Sequence, residues 1–125
     1  AAIATISALT RGRNQIYPRM TRVCDSLIDG IRDVARDRKI PCRINSFSSM
    51  YQLFFTTREV RDMTSAKTSD LDMFNTLFTA LLEKGVFIPP SQFETCFLSY
   101  AHADEDIDRT VEAYDYAFNL MRSKK

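Results

Sequence analysis

The sequence predicts an α+β fold, a small and mainly antiparallel sheet with helices packed on one face. Three observations predict it. Apolar residues recur at steps of three and four in separate stretches, short aromatic and β-branched runs lie between them, and the connections are hairpin-like. At 125 residues the chain is of one-domain size. A domain of that length buries roughly two thirds of its unfolded surface, and nine Phe and five Tyr supply core material.

The first segment, residues 1–9, aligns Ile3, Ile6 and Leu9 on one helical stripe without a cap or polar lead-in. It reads as the truncated remnant of a helix leading from a missing domain, the rest of 1–125 being a single domain. Thr10 to Asn14 is polar, contains Gly12, and is expected to be a connector. A long helix follows, with Ile16, Met20, Val23, Leu27, Ile31 and Val34 facing a core and Asp29/Arg32 and Asp33/Arg36 paired on the wet side. Ile40-Pro41 ends it, because proline disfavours the α region in the residue before it.

From Cys42 the period changes. Residues 42–47 and 50–56 are strand-like and are joined through Ser48-Ser49, which predicts a hairpin. Thr57 to Thr68 is polar and predicts a surface loop. A further helix is expected to be capped by Ser69, to bury Leu71, Phe74, Leu77, Phe78, Leu81 and Leu82, and to stop at Gly85. Val86-Phe87-Ile88 reads as a strand closed by Pro89-Pro90, and residues 96–99 as another. The last helix opens on Asp104, Glu105 and Asp106, closes near Arg122, Lys124 and Lys125, and turns Ile107, Val111, Tyr114, Phe118 and Met121 inward.

Composition narrows the function. Seventeen basic against 16 acidic residues argue against binding to nucleic acid or a membrane surface, which needs uncompensated cations. No apolar run approaches the roughly 20 residues of a membrane span. Cys24, Cys42 and Cys96 fit neither a disulfide framework nor a zinc ribbon and read as reduced thiols of a cytoplasmic protein. A single histidine, His102, leaves no His-rich metal site, and its expected role is to hydrogen-bond loop backbone at a strand-to-helix corner. Lys39, Lys67, Lys84, Lys124 and Lys125 all sit in polar settings, whereas a Schiff-base lysine must be desolvated. Glu94 is the ionisable residue in an unusual setting, between Phe93, Cys96 and Phe97 after a rigid Pro-Pro entry. A carboxylate held there can orient a substrate amine or a proton transfer, and an exposed loop glutamate fits the pattern equally well.

Several ordered motifs then point one way. Residues 48–56, Ser-Ser-Met-Tyr-Gln-Leu-Phe-Phe-Thr, resemble S-G-M-F-x-x-F-F-T, and Ala66 to Asp70 resemble A-K-K-S-D. Leu81 to Phe87 resemble L-L-E-x-G-V-Y, Ser91 to Glu94 match S-Q-F-E, and His102 to Thr110 follow H-T-x-E-D-I-D-x-T. Together they resemble the C-terminal part of the glutamate-1-semialdehyde 2,1-aminomutase family, class-III pyridoxal-phosphate enzymes. The resemblance implies a C-terminal small domain that contributes Glu94 as a catalytic group, with Ser91, Gln92 and Ser49 binding substrate. It implies a parent enzyme that turns glutamate 1-semialdehyde into 5-aminolevulinate for tetrapyrrole synthesis, as a cytosolic homodimer using pyridoxal phosphate and pyridoxamine phosphate. The cofactor lysine would lie on a missing N-terminal domain, so this piece alone would bind no cofactor and be inactive. Ser49 stands where the family carries glycine, and Ala103 where it carries a capping Thr that Asp104 would replace. Two other readings are a small domain of another class-III aminotransferase and a non-catalytic interaction module.

Overall fold

The computed structural model describes residues 1–123. The chain runs α1 (Ala2–Arg38), β1 (Arg43–Phe47), β2 (Met50–Phe54), α2 (Met63–Ala66), α3 (Leu71–Glu83), β3 (Cys96–Phe97) and α4 (Asp104–Ser123). The sheet is antiparallel in the order β1-β2-β3, with α1, α3 and α4 on one face. The expected fold class is the observed one, with corrections to individual elements.

Residues 2–38 form one helix, so Thr10 to Asn14 is not a connector. A glycine inside a helix costs only about 1 kcal/mol, too little to break a long helix in which Arg11 and Arg13 flank it. Pro18 is also accommodated within it. Burial begins at Val23 and continues through Cys24, Leu27, Ile28, Ile31 and Ala35. The preceding residues leave Ile3 and Ile6 largely exposed. At its end Lys39 takes a left-handed conformation (φ 58°), Lys39 N–H donates to the Arg36 carbonyl, and Ile40 N–H donates to the Ala35 carbonyl at 2.8 Å. That Schellman geometry, together with the proline, stops the helix. Gly85 (φ 78°) does the same for α3, Val86 N–H reaching the Leu81 carbonyl.

The α3 cap is Asp70, which accepts from Met73 N–H. Ser69, the expected cap, is instead buried. Leu71 and Leu82 lie outside the buried stripe, where Phe74, Leu77, Ala80 and Leu81 do the packing. Within the expected 57–68 loop, Asp62 and Ser65 form a capping box that supports α2, a single turn the periodicity could not show. Val86 to Ile88 pairs with no strand, and the second strand shortens to Cys96–Phe97. Ile88 is apolar because it is buried in the core.

α1 and α4 lie roughly parallel. Arg19 donates to the carbonyls of Tyr100 and His102, Gly30 faces Val111, and Arg38 reaches Asp115. A Cβ on Gly30 would stand 2.6 Å from a Val111 methyl, so glycine permits this approach. Ala103 occupies the cap position of α4, where the Asp106 carboxylate accepts its N–H at 2.9 Å, so Asp104 is not the cap. The two C-terminal lysines named above lie outside the described residues.

Arg38 grips Asp115 with two bonds of 2.8 Å, and this hydrogen bonding holds the Asp115 carboxyl below its ordinary range. The side chains are 33% and 41% exposed, so water screens the pair and its contribution is small. A carboxyl whose folded pKa is depressed contributes stability above its unfolded pKa and loses it as pH falls through the folded one. Asp115→Asn is therefore expected to lower the melting temperature modestly at pH 7 and hardly at all at pH 2, measured by thermal unfolding across pH. Equal losses at both pH values would refute the ion pair.

Candidate functional site

The sheet has a second face, and the candidate site is there. Directly opposed residues of an antiparallel ladder share a face. The registers Phe47↔Met50 and Met50↔Phe97 thus place Phe47, Met50 and Phe97 in one row across all three strands. Phe47 is 76% exposed and Phe97 68%. The next row is polar, with Asn45 opposite Gln52. In the third row Phe54 is covered by Val60 and Ala66 from the segment after β2.

The polar row fastens two flanking segments. Asn45 Nδ2 donates to the Val60 carbonyl at 2.8 Å, and Gln52 Nε2 to the Gln92 carbonyl at 2.6 Å. Gln92 belongs to the turn Ser91 to Glu94, in which Ser91 Oγ accepts from Phe93 N–H and the Ser91 carbonyl accepts from Glu94 N–H. The turn presents Glu94 and Phe93 outward. Gln92 folds inward, 5% exposed, and its Oε1 has no hydrogen-bond partner among the described residues.

Ser91, Gln92 and Glu94 are thus brought together. Ser49 is not with them: it sits at the hairpin end of β2, its carbonyl accepting Leu98 N–H, while the turn meets β2 at Gln52. At about 3.3 Å per residue that is roughly 10 Å along the strand. The left-handed residue of the hairpin is Ser48 (φ 55°), not Ser49. Its hydroxyl is 3.0 Å from Thr21 Oγ1, which ties the turn to α1. A shallow depression of about 250 Å³ lies beside Asn45, Phe47, Met50, Gln52 and Thr95. A cleft of similar size between Arg38, Ile40, Asp70 and Met121 is remote from this chemistry.

Sequence reading missed Asn45 and Gln52. A signal was present for Gln52, the one polar residue in Met-Tyr-Gln-Leu-Phe, whereas Asn45 shares its strand with Arg43 and Ser46. His102 does what was expected of it, its Nδ1 accepting Ser99 N–H at 2.9 Å. On the inner face Tyr51 and Tyr114 hydroxyls lie 3.3 Å apart. Burial pushes the Cys96 and Cys24 thiols up to about 11 and raises both phenols. These thiols are protonated at neutral pH and are poor nucleophiles.

Lys39, Lys67 and Lys84 are exposed, Lys84 lying over the Tyr116 ring at 4.1 Å. None of the three is desolvated, as an amine that carries a covalent carbonyl cofactor must be. No helix among the described residues is long and apolar enough to cross a membrane.

No family model matches the chain. Curated relatives do. A glutamate-1-semialdehyde 2,1-aminomutase of Nitrosopumilus maritimus is 38% identical over 98% of the chain, and one of Persephonella marina is 46% identical over 84%. The chain spans only 29% and 24% of their lengths. A solved glutamate-1-semialdehyde aminomutase of Pseudomonas aeruginosa, in complex with PMP, superposes with a TM-score of 0.71 at 18% identity, over 83% of this chain and 23% of that one. An omega-transaminase of Sphaerobacter thermophilus gives 0.69 at 18%, over 82% and 24%. At these identities the two structures speak to fold alone. In sequence, nearly the whole length of the chain is similar to a segment of under three tenths of the glutamate-1-semialdehyde 2,1-aminomutases it matches.

Proposed function

We propose that this chain is the C-terminal small domain of an enzyme that converts glutamate 1-semialdehyde to 5-aminolevulinate, and that the segment alone is inactive. The observation that carries the reading is the outer sheet face, where the exposed rings of Phe47 and Phe97 flank a half-buried Met50 in one row and adjoin a turn that presents Glu94. A row of uncovered aromatic side chains marks a surface that another body covers, and a carboxylate at its border is half of a site. The matched relatives carry over two thirds of their length outside the matched part, and that polypeptide is the body we assign to the face.

The described lysines do not fit pyridoxal phosphate, so we assign the cofactor to polypeptide outside this segment and derive no step through it. What this chain supplies is Glu94, positioned to accept hydrogen bonds from a substrate ammonium group or to hold a proton beside it. Ser91 and Ser49 are the substrate-side hydroxyls of this reading, and Gln92 enters with its turn. A cytosolic homodimer serving porphyrin synthesis, as the family resemblance implies, completes the proposal.

A second reading has its own support, since a transaminase superposes about as well as the aminomutase. Supplying the full-length protein with semialdehyde alone separates the two. Turnover without an added amine is the expected result, and an absolute requirement for a separate amino donor would establish the transaminase. Mixing the isolated chain with pyridoxal phosphate is expected to give no new visible band in a 1:1 ratio. Such a band, abolished by replacing one lysine, overturns the assignment of the cofactor to other polypeptide.

A further inference from the structure

We propose that Gln52 is a positioning residue for Glu94, acting through the carbonyl of Gln92. This inference rests on the reading of Glu94 given above and adds a residue that the resemblance did not single out.

Two independent contacts hold the turn. From outside, the Gln52 amide meets the Gln92 carbonyl at 2.6 Å. Only the NH2 end of an amide can donate to a carbonyl, so the orientation of the Gln52 side chain is determined. From inside, the Gln92 side chain is buried and lines, with Tyr51, Leu53, Phe74, Leu77 and Tyr114, a space of only about 10 Å³. The turn itself is only Ser91 to Glu94 and is closed by two bonds, Phe93 N–H to Ser91 Oγ at 3.2 Å and Glu94 N–H to the Ser91 carbonyl at 3.0 Å. The Glu94 carboxylate has no hydrogen-bond or ion-pair partner of its own among the described residues and gets its position from the backbone. Gln52 sits on β2, the central strand, where it pairs with Asn45 of β1, one residue beyond the Tyr51↔Cys96 pair with β3. The central strand thereby holds the backbone two residues before the carboxylate. A catalytic group displaced by about 1 Å can lose much of its effect, so a clamp at this distance bears on turnover more than on folding.

The tests use the full-length enzyme that carries this segment. Gln52→Leu keeps the bulk and removes the donor. It is expected to lower kcat about tenfold, to leave KM within twofold, and to speed amide exchange at Phe93 and Glu94 without shifting the melting temperature. Gln52→Lys returns a donor and is expected to recover kcat to within about threefold. Adding Gln52→Leu to Glu94→Gln is expected to cost nothing more, because both act through one carboxylate. The proposal fails if Gln52→Leu leaves kcat intact while Glu94→Gln damages it, or if lysine does not recover what leucine lost. If Glu94→Gln itself leaves turnover unchanged, the reading of Glu94 fails first and the positioning role with it.

Discussion

Phe118→Ala is expected to destabilise the domain by about 3–5 kcal/mol, the cost of removing a fully buried aromatic ring and leaving part of its space empty. Phe118 is completely buried. Its ring meets Phe55 edge-on at 6.2 Å and 81°, and Tyr114 at 5.8 Å and 70°. It therefore joins α4 to the residue that follows β2. Against a total of about 5–15 kcal/mol for an ordinary domain, this is a third or more of the stability. Urea unfolding is the measurement, with the slope unchanged and the midpoint shifted down. Phe97→Ala, on the open face, is expected to change stability by under about 0.5 kcal/mol. Losses of equal size at the two positions would show that the outer face is packed like a core.

Glu94→Gln is expected to lower turnover of the full-length enzyme about a hundredfold, the lower end for loss of a proton-transfer group, or roughly 2.7 kcal/mol at 1.36 kcal/mol per tenfold. Stability should be unaffected, since Glu94 is exposed and its side chain bonds to nothing among the described residues. The amide keeps the shape and removes the charge, so the change reports chemistry and not packing. Glu112→Gln, a swap on an exposed face of α4, is the matched control and should leave turnover alone. A full rate from Glu94→Gln would return Glu94 to the status of an ordinary loop residue.

Much of this was legible in the sequence because periodicity is a burial signal. The stripe from Val23 to Ile31, the inward face of α4 and the Ser48-Ser49 hairpin follow directly from spacing. Several misreadings share a cause, since they concerned a local breaker or cap whose effect depends on its surroundings. Gly12 and Pro18 did not interrupt α1, because a long helix can absorb one glycine and one missing hydrogen bond. Asp70 displaced Ser69 as a cap because Ser69 is drawn under the domain. Val86 to Ile88 had strand composition but no neighbour to pair with, and pairing is a property of the whole sheet. At the site, motif resemblance pointed to the Ser91 to Glu94 turn, whereas Gln52 emerged only when the register placed it beside that turn.

The length of α1 has a mechanical consequence. Thirty-seven helical residues make a rod of about 55 Å, and about half of it precedes the first buried side chain. Pro18 withholds the amide that would bond the Asn14 carbonyl, so the rod is least stiff just where it leaves the body. A tilt of about 5° there carries the far tip through roughly 2–3 Å over 18 residues at 1.5 Å each. Conversely, whatever grips the tip turns the whole body, Glu94 included, through the same angle. The helix is at once a tether and a lever arm.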